Sequence, residues 1–152
     1  MMNQSIPEDA DWSFYGTRDI EFAYSKFHGK SVDEMLSFVR SCPTSAYGYL
    51  EVMPAKPFQY YIQSFVQLLD PSSREFAECE EKGSLASCFL SLIDYKLKNE
   101  PECILPVIEE LMPLAKFISA NQKLYDAELD IFGSFEERFE ILDRRCKECD
   151  GR

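Results

Sequence analysis

Four carboxylates, Asp126, Glu128, Asp130 and Glu137, stand at positions 1, 3, 5 and 12 of one segment, the spacing by which a helix–loop–helix calcium site places its oxygens. The pattern is partial. Position 6, where the sharp turn needs glycine, is Ile131, Gly133 falls at position 8, and no second loop is present to pair with it. The segment reads more simply as a polar connection leading into a helix whose positive N-terminal end favours acids. Cys146 and Cys149 have C-x-x-C spacing, half a zinc clamp or a redox pair in other settings. Here the pair closes the last helix and no second pair exists. The one histidine, His28, precedes Gly29 and is expected to cap helix carbonyls rather than to catalyse. There is no G-x-S-x-G elbow and no glycine-rich phosphate cradle, and the adjacent Glu109 and Glu110 project from different helix faces. We expect no catalytic residue, no metal ligand and no cofactor, hence a non-enzymatic protein.

The distribution of acids carries more information than any one of them. Between Glu100 and Glu137 there are nine carboxylates against two lysines, a net of −7 within a total of −11. Part of this is helix-dipole complementation, since Glu100, Glu102, Glu136 and Glu137 fall near helix starts. The remainder predicts a face that steers a basic protein partner, with Glu109, Glu110, Asp126, Glu128, Asp130, Glu136 and Glu137 as binding residues. Glu75, Glu78, Glu80 and Glu81 form a second strip that could extend it. Association also needs desolvated anchors. Tyr49 and Tyr60 are the aromatic candidates, Tyr60 because it falls off the apolar stripe of its helix.

The same charge excludes other partners. Phosphate backbones and anionic membrane surfaces are repelled, and the one basic cluster, Arg144, Arg145 and Lys147, is interleaved with Asp143, Glu148 and Asp150. No apolar run approaches the roughly 20 residues needed to cross a bilayer. Residues 1–11 carry Glu8, Asp9 and Asp11 where a signal peptide needs cations. We therefore expect a cytoplasmic protein whose six cysteines are reduced and pack as small hydrophobes.

These residues must be positioned by helices, because apolar residues recur at helical spacing almost throughout and no stretch alternates with period two. The 152 residues, 45% hydrophobic, suit one compact all-α domain of six to eight helices, with a flexible segment over 1–11 and the domain over 12–152. Trp12, Phe14 and Tyr15 are expected to supply its first anchoring contacts. The first helix follows Thr17 and stops at Gly29. The second opens on the capping-box pair Ser31 and Glu34 and ends at Cys42-Pro43. Thr44 or Ser45 caps a short third helix that Gly48 weakens and Pro54 closes. In the fourth, from Pro57, residues Phe58, Tyr61, Ile62, Phe65, Val66 and Leu69 line one face up to Asp70-Pro71. A polar helix over Arg74–Lys82 ends at Gly83, and Ser84 caps the next, striped by Leu85, Cys88, Phe89, Leu92, Ile93 and Leu97. A helix from Pro101 to about Lys123 becomes regular near Pro106 and kinks at Pro113. Ser134 and Glu137 open the last, with Phe135, Phe139, Leu142 and Cys146 inward.

The segment Val52-Met-Pro-Ala-Lys-Pro-Phe-Gln-Tyr-Tyr-Ile-Gln-Ser-Phe65 contains an aromatic F-x-Y-[YL]-x-x-x-F stretch and resembles the small acidic helical immunity proteins of bacterial toxin-immunity systems. It covers about one tenth of the chain. The resemblance implies a cytosolic, bacterial inhibitor that binds and blocks a cognate toxin domain, and it transfers no contact residue, because the matching positions are core. From charge and resemblance together we expect an acidic protein-binding domain that occludes a basic toxin, for example a nuclease. The alternative is a helical adaptor that takes a peptide or helix in an apolar groove near the fourth helix.

Overall fold

Caps, prolines and positive-φ residues divide the chain. The computed structural model describes residues 5–12 and 18–150. The expected contributions of Phe14, Tyr15 and Thr17 lie outside these. Helix α1 (Arg18–Phe27) ends against Gly29, at φ +74°, the left-handed position that glycine occupies without a Cβ penalty. The backbone N–H of Glu34 donates to Ser31 Oγ and that of Ser31 to Glu34 Oε1, a complete capping box at the head of α2 (Val32–Ser41). Helix α3 (Pro43–Glu51) begins on Pro43 itself rather than behind a Thr44 or Ser45 cap, since a first-turn proline gives up no hydrogen bond. Helix α4 (Ala55–Leu69) buries Phe58, Tyr61, Ile62, Phe65 and Leu69 as the stripe predicts.

The next boundary differs from the expectation. Helix α5 (Arg74–Glu78) stops at Cys79, and α6 (Lys82–Asn99) already contains Gly83 in its first turn, behind Glu81 rather than a Ser84 cap. Gly83 is a packing residue, not a stop. A Cβ there would lie 3.0 Å from the Phe132 ring, 3.2 Å from the Asp126 carbonyl oxygen and 3.3 Å from Ala127 Cα. Pro106 interrupts the following helix, giving α7 (Pro101–Ile104), a 3-10 turn over Leu105–Val107 and α8 (Ile108–Ala120). Helix α8 continues through the exposed Pro113, which has no N–H to give the Glu109 carbonyl, and it ends at Ala120, short of Lys123. A 3-10 turn over Gln122–Tyr125 and the single helical turn α9 (Leu129–Phe132) lead to α10 (Phe135–Asp150).

No strand occurs among the described residues, and no described helix is long and apolar enough to cross a membrane. Helices α4 and α6 form the centre, where Phe65 and Phe89 stack at 6.4 Å. The accessible surface, 8234 Å², is close to the roughly 7,900 Å² expected of a compact chain of this mass. Of residues 5–12, Pro7 and Trp12 are buried, Asp9 accepts from the Tyr24 hydroxyl, and Asp11 pairs with Lys56.

Buried polar groups fix how the helices meet. The Tyr61 hydroxyl reaches the carbonyls of Phe27 and Lys30, both at 2.6 Å, and the Tyr125 hydroxyl donates to the Leu69 carbonyl at 2.8 Å. Lys96 is fully buried. Its ammonium donates to the Met53 carbonyl and to Glu100 and lies 5.1 Å from the Phe58 ring centre, so its charge is met on several sides. Helix α10 runs parallel to α6, because its contacts climb both helices together. Arg138 donates to Ser87 and Ser91, Arg145 to Asp94, and the Cys149 thiol to the Leu97 carbonyl.

Candidate functional site

The connection from α8 to α10 is built on one side chain that sequence reasoning passed over. Gln122 Nε2 donates to the carbonyls of Ala127 (3.0 Å) and Gly133 (2.8 Å), and its Oε1 accepts from the Phe135 N–H at 2.9 Å. Every polar atom of the amide is used to close the loop on itself. Buried Tyr125 ties the same loop to the end of α4, and Ala127 and Phe132 close over Gly83. Asp126 takes φ +54° and Gly133 φ +71°, two left-handed turns that bring the chain out of α8 and into α10. Ser134 Oγ accepts from the Glu137 N–H, as the capping pattern predicts.

This scaffold presents exposed apolar and acidic side chains together. An open depression of about 1170 Å³ runs over residues 119–136, lined by Leu124 and Leu129 and by the carboxylates Asp126, Glu128, Asp130 and Glu136, with Lys123 as the one lining cation. Leu129 is 65% and Ile131 69% exposed, and Leu124 and Phe117 also show large open surfaces. Burying any one of these in a partner would release about 1.5–3 kcal/mol. Asp126, Glu128, Asp130, Glu136 and Glu137 are exposed, and no ion pair among the described residues engages them. Glu80 and Glu81 immediately precede the α6 turn whose Gly83 abuts Asp126 and Ala127. Glu78 is paired with Arg40 at 3.3 Å.

The predicted acidic region is smaller than its sequence span. Glu100 is paired with Lys96. Glu109 and Glu110 lie in the first turn of α8, about 15 Å along the axis from its far end, where the depression begins. They do not share the site with Asp126. Tyr60 is a correction: it is 5% exposed, and its hydroxyl accepts from the Val32 N–H at 3.1 Å. Lying off the main stripe of α4 places it against α2 rather than in water, because α4 is covered on more than one side. The same covering buries Pro57, Phe58, Tyr60, Tyr61, Ile62, Phe65, Leu68 and Leu69 of α4. Tyr49 is half-buried, stacked on Phe22 between α1 and α3, and is not among the residues lining the depression over 119–136.

The remaining candidates have structural roles. His28 Nδ1 lies 3.2 Å from the Tyr24 carbonyl, which can only accept, so Nδ1 carries the proton, and the ring stacks on Tyr24 at 4.1 Å. Cys146 is buried against the core and Cys149 faces α6. No group of three His, Cys, Asp or Glu side chains poised for a metal occurs among the described residues. The calcium-like spacing does not become a loop, because Leu129–Phe132 wind into α9. Comparison with protein-family models, with curated proteins and with solved structures returns no match.

Proposed function

We propose that this chain is a non-enzymatic protein-binding domain that uses the α8–α10 face to hold and occlude a basic protein, in the manner of an immunity-type inhibitor bound to a toxin domain such as a nuclease. The observation that carries the reading is the coincidence on one braced loop of exposed Leu124, Leu129 and Ile131 with Asp126, Glu128, Asp130 and Glu136, none of which is neutralised internally among the described residues. Each half supplies what the other lacks. Apolar anchors give residence time, and uncompensated carboxylates accelerate encounter and select for cations. A second copy of a chain with net charge −11 is a poor occupant, since like potentials would meet.

The proposal requires a neighbouring reading frame that encodes a protein with a basic C-terminal domain, and the test is binding of this chain to that domain, followed by stopped flow. Raising sodium chloride from 50 to 500 mM should slow association about tenfold or more. Charge reversal at Asp126, Glu128 and Asp130 should slow it further, and Leu129→Ser with Ile131→Ser should act mainly on dissociation. No complex with that domain, or a complex whose kinetics ignore both salt and these substitutions, removes the proposal.

A further inference from the structure

A second concavity, of about 360 Å³, lies between α1 and α3, lined by Asp19, Phe22, Ser45, Gly48, Tyr49 and Val52. Phe22 and Tyr49 stack at 5.0 Å with their planes 20° apart, and Tyr49 is held from behind by the edges of Phe27 and Phe38. The outer ring stays open, with Phe22 63% exposed. Beside it, Gly48 sits inside a helix, where glycine costs about 1 kcal/mol relative to alanine. Nothing internal requires it there. A Cβ at that position meets no atom within 4 Å, and the missing side chain leaves the cleft clear. The Asp19 carboxylate joins no ion pair among the described residues, with Arg18 next to it in sequence. Burial raises the Tyr95 hydroxyl pKa above its ordinary value, and Glu51, Glu100 and, least of the three, Asp19 add to the rise.

We propose that this cleft is a subsite for an arginine side chain of a protein partner, with the guanidinium lying flat on the free face of Phe22 and donating to the Asp19 carboxylate. Arginine suits it better than lysine. Its planar, weakly hydrated cation stacks on an aromatic face while its edge donates two parallel hydrogen bonds to a carboxylate, and a strongly hydrated ammonium does neither as well. This inference does not rest on the α8–α10 reading, since the two surfaces share no residue.

The test is a two-dimensional amide NMR titration of the full chain with acetyl-Gly-Arg-Gly-amide, beside the lysine and citrulline peptides. Saturable shifts confined to residues 19–22 and 45–52 are expected, with a dissociation constant on the order of millimolar, and weaker binding of both controls. Asp19→Asn and Phe22→Ala, both at exposed positions, should each weaken binding about fivefold or more, and Gly48→Leu should block it. Equal shifts with citrulline, unchanged binding in the Asp19 or Phe22 variants, or no saturation overturns the subsite. Shifts at residues 119–136 in place of the cleft also overturn it, while leaving the acidic-face proposal standing.

Discussion

The carboxylates of the α8–α10 face are placed by residues that carry no charge. Gln122 alone bridges Ala127, Gly133 and the Phe135 N–H, so it spans both left-handed turns of the loop. Gln122→Ala removes three hydrogen bonds and leaves their backbone partners to water where water can reach them, a cost of about 1–3 kcal/mol. Urea unfolding should show that loss, and hydrogen exchange should speed up first at residues 127–135. If the unfolding midpoint and the Phe135 amide protection stay where they are, Gln122 does not brace the loop. Gln122→Glu should behave almost as badly, because a carboxylate cannot donate to the Ala127 and Gly133 carbonyls. Asp126, Glu128 and Asp130 were readable as candidates because a charge announces itself without a neighbour. Gln122, Tyr125 and Arg138 were not, because each takes its role from groups 5 to 56 residues away.

Two glycines separate what an element needs from what it tolerates. Gly48 and Gly83 both lie inside helices, and helix propensity alone would improve either one on substitution by alanine. Their surroundings differ. With open space at position 48, Gly48→Ala should stabilise the protein by up to about 1 kcal/mol. Gly83→Ala should destabilise it by about 1–3 kcal/mol, since the new methyl meets Phe132 and the Asp126–Ala127 backbone. Opposite shifts in the thermal midpoint are the expected result, and a gain at position 83 would mean that the α6–α9 approach is not tight. The pair also explains the misplaced boundary between α5 and α6. A glycine after a polar run carries the local signature of a helix stop, and only the close pass of the 126–132 loop, more than 40 residues later, gives it another purpose. Where local signals suffice, as in the Ser31–Glu34 capping box or the α4 stripe, expectation and structure coincide.

At the scale of the whole molecule, surface charge and buried protons act on stability in ways that salt and pH separate. Several buried acids are held neutral by the fold. Burial pushes the Cys103 thiol up to about 11, with Glu100 and Glu102 adding to the rise against Lys96, and burial likewise raises the Tyr61 and Tyr125 hydroxyls. A raised value means that the folded state binds its proton more tightly than the unfolded chain does. That contribution is complete below the unfolded values, near 9 for the thiol and 10 for the phenols, and is lost as pH climbs towards the folded ones. The protein should therefore keep its stability from these groups up to about pH 8 and lose it steadily above pH 9. Rising net charge would also weaken the protein in alkali, but self-repulsion between surface carboxylates is screened by salt and the burial of these groups is not. Urea melts at pH 8, 9.5 and 10.5 in 0.5 M sodium chloride separate the two. A decline that persists in salt assigns the alkaline limit to the buried thiol and phenols, and a midpoint that stays level to pH 10.5 would show that the fold does not depend on keeping them protonated.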